Sequence, residues 1–102
     1  MSARAMACCA PLLAAIASSA LSQDLGDQDA GERLAVLNCA QCHGAVDVPS
    51  GAPAFRTIAA MPSTTAESLN VFLQTSHATM PNLILSPEDR NDLIAYILSL
   101  RP

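Results

Sequence analysis

Two cysteines and a histidine set the strongest limit on what this chain can fold into. They stand in one run, Cys39-Ala40-Gln41-Cys42-His43. Residues three and four apart share one face of a helix. On a helical turn these side chains therefore aim two thiols and an imidazole at one small volume. Whatever fills that volume is held from a single turn, and the rest of the chain has to close around it.

Several chemistries use a pair of cysteines at this spacing. A thioredoxin-like redox pair needs a βαβ context, and no segment here reads as a strand. A zinc site needs a second pair of ligands, and only His77 is left to help form one. A structural disulfide is open to any exported chain. The histidine directly after the second cysteine completes C-x-x-C-H, the attachment sequence of c-type haem. In that reading Cys39 and Cys42 each form a thioether with a haem vinyl group, and His43 offers a ring nitrogen to the iron. The adjacent histidine and the exported character of the chain favour haem over the other three.

Export is read from the N-terminus. Arg4 is followed by an apolar run from Met6 to Ala17, then by the small residues Ser18, Ser19 and Ala20, then by Gln23 and Asp24. This is the order of a secretory signal peptide, cleaved after Ala20 or Ser22. The run is far shorter than the ~20 residues of a membrane span. The expected division is therefore a signal over residues 1–22 and one domain over 23–102, with no membrane span after cleavage. Cys8 and Cys9 leave with the signal, so Cys39 and Cys42 are the cysteines of the mature chain. About 80 residues remain, a size at which a domain often needs a staple to be stable. A haem supplies one, because it fills the centre of a core too small to fill itself.

Charge narrows the partners. The formal net charge is −4, and the five basic residues, Arg4, Arg33, Arg56, Arg90 and Arg101, include no lysine. Such a chain has no footprint for nucleic acid and no basic amphipathic helix for an anionic membrane. It suits basic or neutral protein partners.

The mature chain reads as all-α, with three main helices and long loops. The first spans about Asp29 to Cys42, with acidic residues at its start and Ala30, Leu34, Ala35 and Leu37 on its apolar face. Residues 44–63, with Pro49, Gly51, Pro53 and Pro62, read as a long connection that has to wrap around something. The second helix opens at a capping box, Thr64 to Glu67, buries Leu69, Phe72 and Leu73, and stops near Ser76. The third opens at Ser86 and Pro87, buries Leu93, Ile94, Ile97 and Leu98, and keeps Arg101 in its last turn.

With these features in place, the chain resembles the class I cytochromes c, in a small bacterial-type monohaem form. The likeness covers roughly residues 27–102 and is most specific at Cys39, Cys42 and His43. It implies one covalent haem c with its iron. It implies close packing of Gly31, eight residues before Cys39, on Tyr96 of the last helix. It implies a proline carbonyl that accepts the second ring N–H of His43. Pro53 is in that place, and Pro49 competes for it. It also implies a methionine sixth ligand before the last helix, where Met80 stands in Met80-Pro81-Asn82. His77 is an alternative ligand, and an open sixth site is another. Met61 reads as a core filler, and Asn82 either bonds the Met80 sulfur or simply turns the chain.

The function implied is a periplasmic single-electron carrier rather than an enzyme. Its partners would be a dehydrogenase, a reductase or a terminal oxidase. Ala45, Val46, Val48 and Ala52 are candidates for the docking rim. The rival readings are a subunit held in an oxidoreductase complex, and a haem sensor or peroxidase with an exchangeable ligand.

Overall fold

The computed structural model describes residues 26–44, 46–47, 51–77 and 79–102. The expected signal peptide lies outside the described residues, as do Ala45, Val48 and Pro49. The rest forms four helices: α1 (Gln28–Asn38), α2 (Phe55–Ala60), α3 (Ala66–Phe72) and α4 (Pro87–Ser99). Among the described residues there is no strand, so the all-α expectation holds.

Helix α1 starts where Asp27 caps it. The Asp27 carboxylate accepts from the backbone N–H groups of Asp29 and Ala30, at 2.8 and 3.0 Å. Asp27 also anchors the helix start to α4, because its own N–H donates to Asp92 Oδ1 at 2.7 Å. Gly31 then lets the two helices close. A Cβ at Gly31 would lie 1.9 Å from the Asp92 carbonyl oxygen and 2.9 Å from the Tyr96 Cβ. No side chain larger than hydrogen fits, so the expected contact between Gly31 and Tyr96 is present. The buried face of α1 is Gly31, Ala35 and then Cys39, spaced by four. Leu37 does not belong to it. Two residues on from Ala35, Leu37 turns away from the core and is 81% exposed.

Helix α2 departs from the expected connection over residues 44–63. Eight residues without Gly or Pro stand between Pro53 and Pro62, and Phe55 and Ala59 are one helical turn apart. Both are buried against the rest of the core. Burial of that pair stabilises a helix that local signals alone do not announce.

Helix α3 begins one residue later than the expected capping box. Thr65, not Thr64, is the N-cap. Its hydroxyl accepts from Ser68 N–H at 3.0 Å, and Ser68 Oγ accepts from Thr65 N–H at 2.8 Å. Thr64 is buried instead, and its hydroxyl donates to the Ile58 carbonyl at 2.6 Å. Its side chain is thus turned toward α2, and the Ser68 N–H in the first turn of α3 is met by Thr65. The helix also stops earlier than Ser76, at Phe72.

Helix α4 follows its sequence closely. Ser86 Oγ accepts from Asp89 N–H at 3.0 Å, and Pro87 holds the first helical position. Leu93 and Ile97 are almost completely buried, and Ile94 nearly so. Burying a side chain of this size stabilises the fold by about 1.5–3 kcal/mol. The helix ends at Ser99, and Arg101 lies beyond it. Arg101 reaches back to α2 and the turn after it, donating to the carbonyls of Ala59 and Thr64. Helix α4 is thus the common wall on which α1, α2 and α3 rest.

Candidate haem site

The cysteine–histidine run follows α1 as a tight turn rather than a full helical extension. The His43 N–H donates to the Cys39 carbonyl at 2.8 Å, and the Cys42 N–H reaches the same oxygen at 3.1 Å. That single shared acceptor keeps helical spacing across the motif. Cys39 is buried and Cys42 exposed, and the two thiols are not bonded to each other. Burial pushes the Cys39 thiol above its ordinary pKa. A redox dithiol needs the opposite shift, toward the thiolate.

His43 is held from two sides. Its Nδ1 lies 2.7 Å from the Pro53 carbonyl oxygen. A carbonyl can only accept, so Nδ1 carries the proton and Nε2 keeps a free lone pair. The ring also stacks on Phe55, with centroids 5.0 Å apart and planes 7° from parallel. Phe55 in turn meets Tyr96 edge to face at 6.2 Å. One aromatic path therefore runs from the imidazole to the α1–α4 crossing. The Pro53 carbonyl has its own support, because the next residue's N–H, that of Ala54, donates to Asp47 Oδ1 at 2.6 Å.

The loop from α3 to α4 faces this wall. Between them is a cavity of about 460 Å³. Cys39, His43, Phe55 and Leu93 line one side, and His77, Met80 and Asn82 line the other. The structure thus brings Cys39, His43 and Met80 to one space. His77 is engaged elsewhere. Its Nε2 donates to the Phe72 carbonyl at 2.9 Å, and its ring stacks on Phe72 with centroids 3.6 Å apart. Phe72, expected in the core, is 49% exposed and serves this stack. Met61 is 40% exposed and lines no part of the cavity, so it is not a core filler. Of the expected rim residues that are described, Val46 is exposed and Ala52 half-buried.

Among the described residues, Arg90 is the only arginine, and the only permanently charged side chain, in the cavity lining. Its Nε donates to Asn70 Oδ1 at 2.8 Å, which bridges α4 to α3 at the cavity wall. Arg33 and Arg56 are exposed and line none of it. The sequence treats these arginines alike, and only the packing separates them. Phe55, Asp47 and Asn70 were not singled out by the sequence at all. Phe55 had a faint signal, an aromatic two residues after Pro53. Asp47 and Asn70 had none, because each acts on a residue distant in the chain.

Cys39, His43 with a free Nε2, the Met80 thioether and one fixed cation line a mostly apolar cavity, and the exposed, unbonded Cys42 lies outside that lining, one turn from Cys39; together they form a donor set that fits haem c. Haem c supplies a one-electron ferric–ferrous couple when bound. The fold and site are those of a c-type cytochrome.

The chain belongs to the cytochrome c family. Residues 26–97 match the family described as "Cytochrome C oxidase, cbb3-type, subunit III". Over 95 residues the chain is 38% identical to cytochrome c-552 of Bradyrhizobium diazoefficiens, covering 89% of this chain and 91% of that protein. No solved structure matches it. It is a monohaem c-type cytochrome with covalent haem c, an electron carrier acting with redox proteins rather than an enzyme. Among the described residues no helix is long and apolar enough to cross a membrane.

Proposed function

We propose that this cytochrome is a periplasmic carrier whose iron is held by His43 and Met80, with Cys39 and Cys42 as the thioether anchors. The observation that bears most weight is the state of His43. Its Nδ1–H is committed to Pro53, which leaves Nε2 as the ligand atom in a cavity that Met80 also lines. A ligand hydrogen-bonded in this way has a fixed tautomer and ring orientation. His77 is the weaker choice for the sixth position, because its Nε2 is already bonded to the Phe72 carbonyl. Arg90 stands where it can meet a haem propionate, with Asn70 holding its Nε.

His43 and Met80 would hold the haem iron from side chains fixed by the fold, and the haem would supply the one-electron couple. A neutral thioether favours ferrous iron and raises the potential above that of a bis-histidine haem. The leader over residues 1–22 supports export to the periplasm, and the acidic surface supports basic or neutral docking partners among dehydrogenases, reductases and terminal oxidases.

A second reading is a domain held within an oxidoreductase complex. The family description, which names an oxidase subunit, favours it. Against it, the relative cytochrome c-552 is matched over 91% of its own length, so the likeness spans a whole small cytochrome. Purification of native protein from the membrane-free periplasmic fraction, alone and soluble, supports the carrier. Recovery only with larger subunits supports the complex.

The ligand assignment is tested by the visible spectrum of the oxidised holoprotein. A sulfur-to-iron charge-transfer band is expected, and it is lost in Met80→Ala. A low-spin spectrum without the band in the native protein would transfer the sixth position to His77. A high-spin spectrum would mean an open iron and a sensor or peroxidase function.

A further inference from the structure

The Pro53–Ala54 peptide unit is hydrogen-bonded at both ends. Its oxygen accepts from His43 Nδ1 at 2.7 Å. Its N–H donates to the Asp47 carboxylate at 2.6 Å. These are the two ends of one conjugated amide, so a pull at one end is felt at the other. We propose that Asp47 is a positioning residue for electron transfer, tuning the iron through this amide and His43.

The argument follows the electrons. A carboxylate accepting an amide N–H makes a charge-assisted bond, shorter and roughly twice as strong as a neutral one. It draws the N–H proton toward itself and moves electron density in the amide toward the carbonyl oxygen. That oxygen becomes a stronger acceptor for His43 Nδ1–H, since linked hydrogen bonds polarise one another by about 10–30% each. An imidazole whose N–H is pulled harder is a more basic donor at its other nitrogen, Nε2. A more basic ligand stabilises ferric over ferrous iron. Asp47 therefore lowers the reduction potential, and does so without lining the cavity. The bond also ties together two residues seven apart in the chain, Asp47 and Ala54. A residue that only fixed the loop would not need a charge.

The inference rests on His43 as an iron ligand, and its test is chosen to separate the two ideas. The holoprotein is compared with Asp47→Asn and Asp47→Ala by equilibrium redox titration. Asn keeps an acceptor oxygen and removes the charge, while Ala removes both. At fixed ambient potential, Asp47→Asn is expected to raise the ferrous-to-ferric ratio about threefold, which is about 28 mV at 59 mV per tenfold change. Asp47→Ala is expected to raise it further. Both shifts persist at about 1 M salt, where the Debye length is about 3 Å and an exposed charge acting through water is silenced. In parallel, the His43 Nδ1–H proton resonance moves in the same order.

Equal potentials in all three proteins would overturn the proposal. So would a shift that disappears at high salt, since plain Coulomb attraction would explain it. So would an Asn variant identical to wild type with only Ala shifted, which would make Asp47 a loop tether. His43 ligation is read separately, from the large paramagnetic shift of the His43 ring protons in the ferric wild type. Its absence would remove the His43 assignment itself, whereas its presence with equal potentials would overturn the relay alone.

Discussion

Gly31 has the tightest environment of any described glycine in the chain. The space for a Cβ is already taken by the Asp92 carbonyl at 1.9 Å, a backbone atom that cannot swing aside. Alanine would add some helix propensity, about 1 kcal/mol relative to glycine. Overpacking costs about 1–3 kcal/mol and more when backbone has to move. The balance is negative, so Gly31→Ala is expected to lower stability by about 2 kcal/mol or more, read as a fall in denaturation midpoint of the holoprotein. An unchanged midpoint would mean that α1 and α4 slide apart freely.

Asp27 gives a pH prediction with a defined sign. The N–H groups of Ala30 and Asp29 hold its carboxyl below the ordinary value. A depressed folded pKa means the charged form is favoured on folding. That stability is present above the unfolded pKa and disappears as pH falls through the folded one. Asp27→Asn keeps a capping oxygen and has no charge to titrate. Its stability curve is therefore expected to be flatter than that of wild type through the acid range, measured by thermal melts from neutral to acid pH. Parallel curves would show that the Asp27 charge contributes nothing to acid unfolding.

At the scale of elements, helix ends are set by where each hydroxyl points. Thr64 and Thr65 are chemically the same, but Thr65 Oγ meets the Ser68 N–H at the start of α3, whereas Thr64 is buried with its hydroxyl aimed at the Ile58 carbonyl. Thr65→Ala is expected to cost about 1 kcal/mol through the lost cap. Thr64→Ala removes a different bond, the one joining the start of α3 to α2, so its cost adds to that of Thr65→Ala only if the two act independently. A double-mutant cycle by denaturant titration measures this, and a coupling near zero is expected. Helix α2 illustrates the same dependence on context. Its N-cap, Ala54, makes no side-chain capping bond, and Phe55 and Ala59 give the helix a buried surface. The loop between α3 and α4 is fastened similarly, by His77 on the last carbonyl of α3 at one end and by the Ser86 cap of α4 at the other.

At the scale of the whole molecule, function depends on an acidic body built around one electron site. Two consequences can be measured. The second-order rate of electron exchange with a basic redox partner is expected to fall as salt rises, because the attraction between exposed charges is screened beyond about 10 Å at 0.1 M salt. A rate indifferent to salt would exclude steering by the acidic surface. Arg90 is expected to act on the iron in the opposite sense to Asp47. It is a fixed cation in the cavity lining, and a positive charge nearby favours the less positive, ferrous state. Arg90→Met is expected to lower the reduction potential and Arg90→Lys to preserve most of it. Equal shifts in both would assign Arg90 to the Asn70 bond alone.

The local parts of this molecule were legible in the residues. Cys39, Cys42 and His43 announce haem attachment because covalent chemistry demands a fixed spacing. Ser86 and Pro87 announce α4 because capping is satisfied within one turn. Gly31 and Tyr96 could be paired through a family likeness, and Pro53 could be preferred to Pro49 but not proved against it. The tertiary structure alone decided what depends on distant neighbours. It buried Thr64 and so moved the α3 cap, turned Leu37 and Phe72 outward, and gave α2 a surface to rest on. It engaged His77, brought Arg90 to the cavity, and set Asp47 behind the peptide that holds His43. The physical reason is one of range. Spacing along the chain specifies bonds made within a turn, whereas burial and partner choice are properties of the space that the other helices leave.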